Sequence, residues 1–144
     1  MSVPSPLRGI AQLNISAVDV AEARDWYAGV LGLEPYFQRP DAERPAYVEF
    51  RIGDAEDELG IIDRRYLPPS PAGAPGGVVA RWHVDDITGT VGRLLASGAR
   101  EYEPVTERGE GFVTASVVDP FGNVLGLIHS PHYLEMLGGT PPPE

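Results

Sequence analysis

The sequence predicts an α+β protein made of two β-α-β-β-β modules that pair their sheets around a cleft. Two segments of similar length and plan flank a stretch dense in Pro and Gly from Pro68 to Gly77. Each segment begins with an alternating apolar/polar run that meets an Asp and passes into a helical pattern. Each then continues into three short strand-like runs. Four strands covered by one helix cannot close a barrel alone, so the two half-shells are expected to pair.

In the first segment, Ile10 to Ser16 alternates and Asp19 opens a helix that runs to Leu31 and stops at Gly32. Asp19 and Glu22 have capping-box spacing, and Val20, Ala23, Tyr27, Val30 and Leu31 share one helical face. Strands are expected over Leu33–Arg39, Ala46–Gly53 and Glu58–Asp63. In the second segment, Val78–Val84 alternates and Asp86 opens a helix to Ser97. Its apolar face is Ile87, Val91, Leu94 and Leu95, and Gly89 and Gly92 weaken it by roughly 1 kcal/mol each, so packing must supply its stability. Arg100–Thr106, Phe112–Val118 and Val124–His129 follow as strands. Asp119-Pro120-Phe121-Gly122-Asn123 carries the chemistry of a tight turn between the last two. The chain is thus expected to be a single domain over 1–144, with module one at about 8–63, a linker at 64–77, module two at about 78–130 and a tail at 131–144.

Hydrophobic residues are 42% of the chain and charged ones 22%, a globular composition. The 21 acidic residues against 11 basic ones give a net charge of −10, which repels nucleic-acid phosphates and anionic lipid headgroups. All 11 basic residues are arginines and no cysteine is present, so a Cys nucleophile, a thiolate zinc site, a disulfide and a Lys Schiff base are excluded. Met1 to Arg8 lacks an apolar signal-peptide core, and no run approaches the roughly 20 apolar residues of a membrane helix. The expectation is a soluble cytoplasmic protein with neither nucleic acid nor membrane as partner. No GxGxxG, P-loop, GxSxG or HExxH motif occurs.

The repeated plan, the capping Asp19 and Asp86, the run WYAGVLGL from Trp26 and the DPFGN turn at Asp119–Asn123 together resemble the vicinal oxygen chelate superfamily. Its members include glyoxalase I, extradiol dioxygenases, methylmalonyl-CoA epimerase and bleomycin-resistance proteins, and the resemblance covers roughly residues 8 to 130. It implies the glyoxalase/bleomycin-resistance-like fold and a homodimer, for which exposed strand edges supply a physical reason.

The resemblance also implies where a divalent metal would be held. Metal-binding relatives carry a His or Gln seven residues before each capping Asp, here Gln12 and Val79, and a Glu on the last strand of each half, here Gly60 and Gly126. Only Gln12 has a donor, whereas a divalent ion generally takes about three or more. A register slip of two brings Asn14 and Glu58 in but puts Arg81 at the second strand's position, where it repels a cation. The expectation is therefore no metal and no cofactor.

Alternation puts Gln12, Asn14 and Ser16 on the cleft face with Tyr47, Glu49, Arg51, Glu58, Gly60 and Ile62, and puts Val79, Arg81 and His83 on the matching face of module two. One reading pairs Arg81 with Glu49 or Glu58 and leaves His83 on a backbone carbonyl. The other has Arg81 and His83 orient a polar group of a small organic ligand, with Gln12, Asn14, Glu49 and Glu58 as polar neighbours. Tyr47 and Tyr102 are then flat walls, and Gly60 and Gly126 leave room. The leading expectation is metal-independent binding of such a ligand, with antibiotic sequestration as its use, and the acidic charge suits a cationic one. Two alternatives stand beside it. One is a metal-dependent lyase, isomerase or dioxygenase using Gln12, Glu49, Glu58 and His83. The other is a metal-free acid–base enzyme with His83 as base and Arg81 stabilising an oxyanion. His129 and His132 straddle Pro131 and read as tail residues, and Gly109 and Gly111 suggest a lid over Glu107–Gly111.

Overall fold

Both Asp-capped helices form where the capping chemistry places them. The structure is a computed structural model in which residues 10–66 and 79–138 are described, and it divides into two units, Met1–Pro68 and Pro69–Glu144. The division falls inside the expected linker. Of that linker, Arg64–Tyr66 forms a single 3-10 turn, and 67–77 lie outside the described residues.

Module one contains β1 (Gln12–Ala17), α1 (Val20–Leu31), β2 (Phe37–Arg39), β3 (Tyr47–Ile52) and β4 (Asp57–Asp63). The Asp19 carboxylate accepts the Glu22 amide, and Gly32 ends α1 in the left-handed region at φ 67° with its N–H on the Ala28 carbonyl. The sheet order is β1-β4-β3-β2, with β1 parallel to β4 and the other pairs antiparallel. Helix α1 packs on β3, β4 and β1, burying Val20, Ala23 and Tyr27 on the side where Val48, Phe50, Leu59 and Ile61 are also buried. Strand β2 is shorter than the expected Leu33–Arg39, since Pro35 has no N–H to pair.

Module two repeats the plan with β5 (Arg81–His83), α2 (Ile87–Ala96), β6 (Arg100–Gly109), β7 (Phe112–Val118) and β8 (Val124–His129). Its order, β5-β8-β7-β6 with β5 parallel to β8, is the same as that of module one. The Asp86 carboxylate accepts the Gly89 amide. Ile87 and Leu94 of α2 are buried, as are Ala115, Val117 and Leu127 of the sheet. In the DPFGN turn, Asp119 Oδ1 accepts the amides of Phe121 and Asn123, which closes the β7–β8 hairpin as the residue types require.

Three segments add to the expected plan. Residues 107–111, where a lid is suggested, lie in a hairpin: β6 runs past the expected Thr106 through Gly109 and turns into β7, with Gly109, Glu110 and Gly111 all at positive φ. Strand β6 is not regular, for its register breaks around Pro104, which lacks a ladder N–H. The start of the expected tail is a helix, α3 (Pro131–Met136), with Ser130 as N-cap and Pro131 at its first position.

Candidate functional site

The site of module one is the sheet face opposite α1. Register places Gln12 beside Glu58, Asn14 beside Gly60, Glu49 beside Gly60, and Tyr47 beside both Ile62 and Arg39. The expected side chains therefore share one face and are joined by hydrogen bonds. Gln12 Nε2 donates to the Tyr47 hydroxyl at 2.7 Å and faces Glu58 Oε2 at 3.3 Å and Glu49 Oε2 at 3.4 Å. The Tyr47 hydroxyl donates in turn to Glu49 Oε2 at 2.8 Å, and Asn14 Nδ2 donates to Gln12 Oε1 at 3.2 Å. Burial first, then the hydrogen bond and charge of Glu49 and the charge of Glu58, push the Tyr47 phenol up to about 12.

The room expected at Gly60 is filled. A Cβ built there would lie 2.5 Å from Asn14 Oδ1 and 2.6 Å from the Tyr47 hydroxyl oxygen. Glycine at 60 gives these two side chains a seat on the strand.

Sequence reasoning missed Phe37, Arg39 and the role of Arg51. The Phe37 ring lies 6.5 Å from that of Tyr47, and the Arg39 guanidinium stands 5.6 Å and 5.9 Å from the two ring centres. Arg51 stacks at 4.1 Å on Tyr36 and reaches Glu58 at 3.7 Å. Their signal is the β2–β3 register, which pairs Phe37 with Glu49 and Arg39 with Tyr47.

Module two places Arg81, Gly126, Ser116 and Glu103 in one row across β5, β8, β7 and β6. The carboxylate that meets Arg81 is Glu103, at 3.4 Å, rather than the Glu49 or Glu58 of the first reading. Arg81 Nη1 also donates to the Ala115 carbonyl at 3.2 Å, and the Ser116 hydroxyl donates to Glu103 at 2.8 Å. That hydroxyl, followed by the charge of Arg81, holds Glu103 below the usual carboxylate range. Gly126 is as crowded as Gly60: an added Cβ would lie 2.6 Å from the Ala80 carbonyl oxygen and 2.9 Å from Arg81 Cγ. Tyr102 sits in the irregular part of β6 and is 61% exposed.

His83 has a buried side chain with both nitrogens engaged. Nδ1 accepts the Ser130 N–H at 3.1 Å, and Nε2 lies 3.2 Å from Asp85 Oδ1. Its ring stacks on Tyr133 at 4.6 Å. Neither nitrogen is left to take a proton from a bound molecule in this arrangement. His129 Nδ1 bonds the Val84 carbonyl at 3.0 Å.

As oriented here, the Gln12 amide and Arg81 do not present the donors of a divalent ion. Gln12 presents N–H hydrogens, not its oxygen, to Glu49 and Glu58, and Arg81 sets a cation in the corresponding row of module two. Among the described residues no three His, Cys, Asp or Glu side chains are grouped so as to hold a metal, and no helix is long and apolar enough to cross a membrane.

This arrangement of strands and helices is that of a known class. The family model of the Glyoxalase/Bleomycin resistance protein/Dioxygenase superfamily matches residues 9–127, and the chain belongs to that superfamily. No curated protein sequence matches it significantly. Among solved structures, it is similar to TnmS3, an antibiotic binding protein from Streptomyces sp. CB03234, with TM-score 0.62 and 20% identity over 88% of this chain and 98% of that one. TioX from Micromonospora sp. ML1 gives 0.61 and 18% over 84% and 98%. Lactoylglutathione lyase from Agrobacterium tumefaciens gives 0.63 and 22% over 88% and 96%. At these identities the likeness establishes the fold.

Proposed function

We propose that this protein binds a small organic molecule without a metal ion, on the polar–aromatic sheet face of module one, and acts by sequestering it. The observation that carries the reading is the amide of Gln12. It turns hydrogens toward Glu49 and Glu58, where a metal would need a lone pair. Flat walls from Phe37 and Tyr47 beside a few convergent polar groups are the usual make-up of an organic-ligand site. Gln12, Asn14, Tyr47, Glu49 and Glu58 are the contacts, over Gly60. Two carboxylates that meet one amide only at 3.3 and 3.4 Å favour a ligand that brings a cationic or N–H donor group. Arg81, His83, Tyr102 and Gly126 enter the proposal as module-two residues, with Arg81 and His83 supporting their own module through the bonds already described. The antibiotic-binding neighbour of like fold supports an antibiotic as ligand class. A homodimer in the cytoplasm completes the proposal.

The test is a native mass-spectrometry screen of the tag-free protein, with chelator present, against aromatic compounds that carry amine or amidine groups. The expected result is binding at micromolar concentration that weakens about tenfold in Glu49→Gln, the loss of one charged hydrogen bond. No binder at micromolar concentration, or binding that the chelator abolishes, contradicts the proposal. Light scattering reads the dimer.

A further inference from the structure

The neutral His83 ring holds the start of α3. Because Nδ1 accepts a backbone N–H, it carries a lone pair and no proton, and the ring proton sits on Nε2, which donates to Asp85. The Ser130 amide is the last before the helix, the Ser130 hydroxyl caps the Tyr133 amide, and the Tyr133 ring stacks on His83 at an interplanar angle of 11°. One imidazole thus fixes both the backbone and a side chain of the first turn of α3. That turn covers the His83 end of the face opposite α2.

We propose that His83 is a proton-operated latch that holds α3 at neutral pH and releases it on acidification. A proton on Nδ1 would point at the Ser130 N–H, so two donors would meet where Ser130 is only 9% exposed. The groups facing the ring decide how the two states compare. Asp85 favours the imidazolium and keeps it paired after release. The His129 ring, 5.2 Å away, opposes a second charge when it is itself charged. The Tyr133 ring brings no formal charge in its stacked contact with the imidazole. Arg81 lies two residues along β5, and Arg108 bonds Thr114, which pairs with Ile128 beside His83. His129 is no latch, for its Nδ1 donates to the Val84 carbonyl, a bond that survives protonation.

The test is amide exchange of Ser130, Tyr133 and Leu134 by NMR on the full chain at pH 7.5 and 5.0, the interval over which imidazoles change charge, corrected for intrinsic rates. Protection is expected to fall about tenfold at the lower pH, the loss of one hydrogen bond. The fall should persist in His129→Gln and vanish in His83→Asn, whose amide oxygen accepts the Ser130 N–H at either pH. Equal protection at both pH values in the unmodified chain, or the same fall in His83→Asn, overturns the latch. Ring nitrogen shifts of the unmodified chain give a reading independent of any variant: a proton on His83 Nδ1 at pH 7.5 also overturns it.

Discussion

The two modules share a strand order, a parallel first pairing and an Asp-capped helix, yet they fill the space above their last-strand glycines differently. At Gly60 the neighbours are the ends of the Asn14 and Tyr47 side chains, whereas at Gly126 they include the Ala80 carbonyl and the stem of an arginine tied to the Ala115 carbonyl. Side-chain ends rotate away at small cost, and backbone does not. The face of module one is therefore adaptable, while that of module two is braced. The same half-shell differs in stiffness according to which atoms cover one glycine.

The most damaging way to probe this contrast is to add one methyl group to each glycine. Gly126→Ala is expected to cost about 3 kcal/mol because the carbonyl cannot yield, and Gly60→Ala about 1 kcal/mol as Tyr47 swings out. Urea denaturation of both variants reads the difference, and equal costs would break the comparison. A smaller effect is expected from removing the polar anchors. Arg81→Met, which removes the bond to the Ala115 carbonyl and one of the two arginine charges acting on Glu103, should lower the urea midpoint, and Gln12→Met, at an exposed position, should lower it less.

Titration sharpens the picture further. Because the folded state raises Tyr47 from 10.0 to about 12, its contribution to stability is complete below about pH 10 and is lost as pH rises toward about 12. Ultraviolet titration should show a late-ionising tyrosine that Tyr47→Phe removes and Glu49→Gln shifts earlier. The smallest effect belongs to module two in acid. Glu103 is held low by Ser116 and Arg81, so its contribution is present above the ordinary carboxylate range and lost as pH falls through its lowered value. Ser116→Ala should move that loss to higher pH, as followed by carboxyl carbon shifts in NMR.

Capping, alternation and turn chemistry were readable one residue at a time, so α1, α2, the strand faces and the DPFGN hairpin were legible in the sequence. The polar row of Gln12, Tyr47, Glu49 and Glu58 was legible too, because strand period alone puts those residues on one face. Contacts set by neighbouring strands were not. Glycine at 60 reads as space until the register brings Tyr47 over it, and Arg81 finds Glu103 only through the irregular register around Pro104. Helix α3 is hidden because the stretch from Pro131 reads as a tail, although Ser followed by Pro is also how a helix begins. With α3 unseen, nothing marked His83 as covered.

The claim that neither module cradles a metal is tested most directly by plasma mass spectrometry of tag-free protein. It would be purified without chelator, offered nickel, zinc, manganese and iron(II), and desalted. The account predicts no metal retained in proportion to the chain. Stoichiometric metal that survives desalting and is lost in Glu49→Gln would contradict it and return the face of module one to Lewis-acid chemistry.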